Sequence, residues 1–206
     1  MTKMLFGLSN EDLWRIFPII VSKHQPNWAN FYAQEKQLLE KQLGLDKIAR
    51  INHFGSTSVP GLVAKPIIDI LLETFPDVII KDLKKKIEHI GYICVKSGAK
   101  AVFLKGYTPD GFCGQAFHLH IRHLSDWDEL YFRDYLCQHP EVASEYGQLK
   151  KALEQKFFYN RDSYSAAKTN FVRKITKLAK MSRSENFFRH NKYLQNKNSD
   201  ISNLIL

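Results

Sequence analysis

The stretch that decides the fold is HFGSTSVPGLVAKPIIDI, His53 to Ile70, in which Gly, Ser, Thr, Pro and Lys crowd between two apolar runs and one carboxylate, Asp69, sits inside the second. Phe54-Gly55-Ser56 closes a candidate strand, and residues 57–68 lead to Asp69 in the next. Glycine lets the backbone approach a ligand closely, while the hydroxyls of Ser56, Thr57 and Ser58 and the loop amides can cradle phosphate oxygens. A carboxylate on the neighbouring strand can then hold a divalent cation against those phosphates. A buried, unpaired carboxylate costs several kcal/mol, so Asp69 must be paired, metal-bound or at a strand end facing a cleft. The plain alternative is a structural Asp bonded to loop amides.

Outward from this segment, the pattern interleaves helix and strand. Ser9 has the Ser-x-x-acid form of a helix start, and Leu13, Phe17 and Ile20 recur at helical spacing before Pro26. Trp28 to Leu43 reads as a second helix stopped by Gly44. Ala49–Phe54 and Pro66–Leu72 read as strands joined by the Gly/Ser loop, and Leu83–Ile90 as a helix closed by Gly91. Tyr92–Val95, Ala101–Gly106 and Phe117–Ile121 read as further strands. Beyond Leu124 the pattern is helical only: Ser125 can cap a helix through Leu136, Pro140 opens another to about Phe157, and Ser163 or Ser165 can cap a third to about Lys180. The expected architecture is α+β, a mixed sheet with flanking helices followed by a C-terminal helical part packed on it. It divides into a helical extension at 1–25, a main domain at 26–180 and a tail at 181–206 ordered by packing on the body or another subunit.

The 206 residues and 44% hydrophobic content suffice for one core, and the +9 formal charge favours anionic partners: nucleotide, RNA, DNA or an acidic membrane surface. No apolar run approaches the roughly 20 residues that span a bilayer, and the N-terminus lacks a signal-peptide core, so the expectation is a cytoplasmic protein with no membrane partner. Cys94, Cys113 and Cys137 are far apart without a CxxC pair, which argues for reduced thiols rather than a disulfide framework or zinc knuckle.

His118 and His120 alternate with Phe117, Leu119 and Ile121, so on a strand both imidazoles point to one face and the apolar residues to the other. Mg²⁺ prefers oxygen ligands, whereas imidazole suits Zn, Mn, Fe or Ni. Asp69 with the two histidines is thus a candidate metal site, an anion site, or two exposed histidines on a polar sheet face. Lys65, entering the strand of Asp69, can reach a triphosphate or pair with Asp69. Glu35 could supply a further carboxylate if its helix packs beside the Gly55 loop. Lys168, Arg173, Lys174, Lys177 and Lys180 form a basic stretch with no acid, read as a solvated face or as an RNA or phosphate patch. Arg133 has an intra-helix ion pair as its default.

Hydrophobic-Gly-Ser, a spacer of this order and then Asp resembles the signature of the nucleotidyltransferase superfamily related to DNA polymerase β. The second superfamily carboxylate would fall at position 71, which here is Leu71. The whole segment His53–Ile70 looks like the defining segment of the GrpB family, small bacterial proteins placed in that superfamily and also found fused to some dephospho-CoA kinases. QPNWANFYAQE, HLHI, YFRDYLCQHPEVASEYGQLK and YSAAKTNFV fit the same family, so the resemblance covers Pro26 to Leu178. It implies a nucleoside triphosphate held by Gly55, Ser56, Thr57 and Ser58, with Lys65, Arg133 and Lys168 as phosphate contacts. It also implies a divalent metal (Mg, Mn or Zn) on Asp69, His118 and His120, the histidines standing where a third acid would come from a later strand. The implied reaction is nucleotidyl or phosphoryl transfer to an unspecified acceptor. The alternative is a non-catalytic module binding a nucleotide, CoA-like ligand or RNA.

Overall fold

A computed structural model describes residues 7–183. Its centre is a five-stranded mixed sheet of β1 (Ile48–Phe54), β2 (Ile67–Thr74), β3 (Ile93–Lys96), β4 (Ala101–Thr108) and β5 (Gly111–His123) in the order β1-β2-β5-β4-β3. Only β2 and β5 run parallel; the other neighbours are antiparallel. The helices are α1 (Asn10–Ile16), α2 (Asn27–Leu43), α3 (Ile80–His89), α4 (Asp128–Gln138), α5 (Pro140–Lys156) and α6 (Arg161–Ala167), followed by α7, helical over 169–183. This is the α+β arrangement implied by the sequence. The expected tail falls, from residue 184 on, outside the described residues.

Strand alternation sorts the central strands onto two faces. Ile68, Ile70 and Leu72 of β2, with Phe117, Leu119 and Ile121 of β5, face α2 and α3 and form the main core with Trp28, Leu39, Leu83 and Ile87. Each fully buried Leu or Ile contributes about 1.5–3 kcal/mol, so this one face anchors the register. Asp69, Leu71 and Glu73 then necessarily point the other way, as do His118, His120 and Arg122. On that second face Leu71 packs with Phe54 and Leu130. Glu73, fully buried, is held by Arg50, by Asn52 Nδ2 at 3.3 Å and by the Ser125 amide at 3.3 Å.

The helical half closes over the same face. Val59 and Leu62 of the loop pack with Leu136, Ala143, Tyr146 and Ile175 of α4, α5 and α7. Residues 17–22 strap the other flank: Ile19 N donates to Phe158 O at 2.8 Å and Ser22 pairs with Ala64.

Several boundaries differ from expectation for local reasons. The first helix stops at Ile16, because Phe17 precedes Pro18 and leaves the helical region; its Ser9 cap is present. Ser125 does not cap α4; its amide and carbonyl serve Glu73 and Arg50, and the helix begins at Asp128. The cap of α6 is Asn160, accepting from Ser163 N at 2.9 Å, and the helix breaks at Lys168 before α7. β5 begins at Gly111, six residues earlier than expected, because Thr-Pro-Asp-Gly over 108–111 makes a hairpin turn with β4. Gly106, at φ +82°, forms a bulge against Gln115, and this shifts Tyr107 onto the second face beside His118.

Gly55 has φ +73°, and a Cβ there would overlap the Asp69 carboxylate; Gly61 has φ +74° with open space around it. Gly61→Ala should therefore cost about 1–2 kcal/mol from backbone strain alone, and Gly55→Ala roughly 2–4 kcal/mol because a steric clash adds to it. Urea denaturation of both variants measures the difference, and equal losses would show that the carboxylate does not constrain the loop.

Candidate functional site

The parallel register sets Asp69 beside His118 and one strand-step from His120. His118 Nδ1 lies 3.2 Å from Asp69 Oδ1, and its Nε2 lies 2.7 Å from Tyr107 Oη. Burial raises the Asp69 carboxyl, but the hydrogen bond and charge of His118, with His120 and Lys65, outweigh it and leave the group below its ordinary range. With Asp69 ionised, His118 Nδ1–H donates to it and Nε2 accepts from Tyr107. Burial lowers His118 despite the opposing pull of Asp69, and drives His120 down to about 4. Both imidazoles are neutral at pH 7, the form that binds metals. One donor atom from each of Asp69, His118 and His120 lies within 4.8 Å of the others. One carboxylate with two imidazoles suits a borderline ion such as Zn²⁺ better than the hard Mg²⁺, with Mn²⁺ between them.

These groups open into a cleft of about 350 Å³ that also contains Lys65, Lys150, Arg161 and Lys168, with Asp69 its only acid among the described residues. Aromatic rings hold the ammonium groups. Lys168 Nζ sits 4.2 Å from the Tyr164 ring centroid, Lys65 Nζ lies 5.8 Å from the same ring, and Lys150 Nζ is 4.7 Å from that of Tyr146. Lys150 also donates to the Val63 carbonyl. Arg161 Nη2 approaches His118 Nε2 at 3.5 Å. Burial, and then the neighbouring cations, push Lys65 down to about 7; burial and Lys168 do the same to Lys150, also about 7. Burial lowers Lys168 to about 8, with Arg161 adding to the shift and Asp69 opposing it. Burial first, and then mutual repulsion, thus leaves these ammonium groups easier to deprotonate than free lysines.

The expected site residues separate into two groups. Gly55, Ser56, Thr57, Lys65, Asp69, His118, His120 and Lys168 all line the cleft. Thr57 and Ser58 do not offer free hydroxyls. Thr57 Oγ1 donates to Ile67 O at 3.0 Å and meets His53 Nε2 at 3.0 Å, while Ser58 Oγ donates to Gly55 O at 2.6 Å. They shape the loop, and Ser56 lines the space with its side chain hydrogen-bonded to Tyr146. Arg133 lies outside the cleft: it donates to the His53 carbonyl at 2.8 Å, pairs with Asp134 and borders a separate cavity. Glu35 is on the opposite side of the sheet, paired with Lys105 at 2.8 Å, because α2 covers the apolar face. Lys65 is gathered with Arg161 and Lys168 on the wall of the cleft. Lys150, Arg161, Tyr146 and Tyr164 escaped the sequence reading. The run YFRDYLCQHPEVASEYGQLK contains two of them, yet its helical periodicity gives no sign of which polar residues turn inward.

The comparisons agree on a family. A family model described as GrpB protein matches residues 18–178. The Glutamate-rich protein GrpB of Alkalihalophilus pseudofirmus is 36% identical over 165 residues, 76% of this chain and 93% of that protein. A UPF0157 protein of Pseudomonas aeruginosa is 36% identical over 154 residues, 73% of this chain but 63% of that longer protein. The crystal structure of conserved protein GrpB from Enterococcus faecalis matches with a TM-score of 0.68 at 34% identity, covering 78% of this chain and 96% of that one. The motif around Gly55 and Asp69, the sheet that carries it and these matches together make the chain a member of the GrpB family.

Proposed function

We propose that this chain is a nucleotidyltransferase-fold enzyme that binds a nucleoside triphosphate in the Asp69 cleft and transfers a nucleotidyl or phosphoryl group to an acceptor. The observation that carries the reading is the convergence of Lys65, Lys150, Arg161 and Lys168 on a cleft whose one acid among the described residues is Asp69. The triphosphate lies along these cations, and the Gly55–Ser56 turn, which has no side chain in the way, brings backbone amides to its oxygens. Asp69, His118 and His120 would hold a divalent ion, His118 in its other tautomer with Nε2–H donating to Tyr107 Oη and the Nδ1 lone pair free, and the ion would draw charge from the phosphate oxygens when bound. Tyr107 and Arg161 set the orientation of His118, and the strap at 17–22 packs with α5 and α6 around Tyr164 on the cleft wall.

A second reading is favoured by Leu71. It is fully buried against Phe54 and Leu130, where the superfamily signature has its second carboxylate. With one carboxylate in the cleft, the domain could hold a nucleotide or CoA-like ligand without turning it over. The basic stretch supports an RNA reading less well, since Lys168 turns into the cleft and Lys180 pairs with Asp128.

The metal reading is tested by calorimetric titration with Mn²⁺ and Mg²⁺. Mn²⁺ should bind more tightly, and His120→Ala should weaken it at least about tenfold, the loss that even outer-shell changes cause. From sequence, binding would weaken below about pH 6. Burial of His120 moves that loss down toward its value of about 4. Equal affinities for wild type and variant, or tighter Mg²⁺, would remove the histidines as ligands.

The polyanion reading has its own pH signature. Lys65, Lys150 and Lys168 are partly deprotonated at pH 7–9 in the free protein, and a bound polyphosphate raises their pKa values, so binding takes up protons. Affinity for inorganic tripolyphosphate should then fall about tenfold or more between pH 7 and pH 9. The heat of binding should depend on the ionisation enthalpy of the buffer. Lys168→Met should weaken binding about tenfold. A pH-independent affinity unaffected by that substitution would leave the cleft without a phosphate role.

A further inference from the structure

Beside the Asp69 cleft lies a larger cavity of about 630 Å³, sharing Phe54, Gly55, Ser56 and Tyr146 with it. Its floor is apolar and aromatic: Phe132 packs edge-on to Tyr146 with ring centroids 5.2 Å apart, beside Val59, Leu136 and Val172. Its charged border is uneven. Glu129 is paired with Arg122 at 2.8 Å and Asp128 with Lys180, so neither acid is available to a newcomer. Arg173 and Lys177, one turn apart on α7, have no acidic partner among the described residues. Between them Thr176, only 6% exposed, lines the cavity, and its hydroxyl makes no hydrogen bond among the described residues.

We propose that this cavity binds a small organic acid with an aromatic body, its ring against Phe132 and Tyr146 and its carboxylate or phosphate met by Arg173, Lys177 and the Thr176 hydroxyl. The volume falls in the range of small-molecule sites, where a mostly apolar lining provides affinity and a few polar groups fix orientation. Because the wall it shares with the cleft is the Gly55–Ser56 turn, a ligand here ends next to the place assigned to the phosphates. Its role as the acceptor rests on the nucleotide reading of the cleft; its binding rests on the cavity alone.

The probes are 2-naphthoate and 2-naphthyl phosphate, with neutral 2-naphthol as the reference, titrated calorimetrically into the full chain. The anions should bind at least about tenfold more tightly than 2-naphthol, the worth of one charge-assisted contact. The rim variant Arg173→Gln/Lys177→Gln should erase that difference while leaving 2-naphthol unchanged and tripolyphosphate within about twofold. Thr176→Val, which keeps shape and removes the hydroxyl, should weaken the anions alone. Anions that fail to bind the full chain overturn the proposal. So do anions that bind no better than 2-naphthol, or that bind the rim variant as well as wild type. Naphthoate bound as expected with no tripolyphosphate binding would instead defeat the nucleotide reading and leave this site in place.

Discussion

The parallel pairing of β2 with β5 is the constraint on which the rest of this molecule depends. Two strands distant in sequence align Asp69 with His118, and the same register lines up Ile68 with Phe117 and Ile70 with Leu119. A slip of one residue would send three large apolar side chains of each strand out of the core and put the acid into it. The burial of one face therefore fixes the chemistry of the other. The carboxylate in a mostly apolar strand is tolerated because it lies at the seam where the second face opens, with a histidine N–H at 3.2 Å to receive it.

The electrostatics of the cleft follow an unusual rule. Buried charges normally pair with their opposites, and elsewhere this chain obeys: half-buried Lys105 with Glu35, and fully buried Glu73 with the exposed Arg50. Around Asp69 the ammonium groups are instead held by aromatic faces, Tyr164 and Tyr146, and by the Val63 carbonyl. A ring face stabilises a cation by about 0.5–2 kcal/mol without neutralising it, so the charges stay available to a ligand at the cost of depressed protonation. Close packing does the rest. Gly55 admits the Asp69 carboxylate against the turn, and the Gly106 bulge brings Tyr107 round to His118.

Much of this was legible in the chain. Alternation in Phe117–Ile121 fixed which side the histidines take, and the Gly-Ser turn followed by Asp69 marked where the cleft would open. Helix ends marked by Gly44 and by Pro140 fell where their backbone chemistry requires. The hairpin at Thr108–Gly111 carried a readable turn signal that the strand assignment passed over.

What the sequence by itself determined is the part governed by local rules: the strand and helix order, the faces of β2 and β5, the loop that lies against Asp69, and the family. Tertiary structure alone decided the partners. Glu35 and Arg133 have the right chemistry for the site, yet α2 lies across the sheet from it and Arg133 is drawn to the carbonyl of His53. Lys150 and Arg161 look like ordinary helical cations, and the packing of α5 and α6 against the loop turns them into the cleft. A helix pattern reports which stripe is apolar; whether the polar residues at its border meet water or another layer depends on contacts between segments far apart in sequence, and these exist only once the chain has folded.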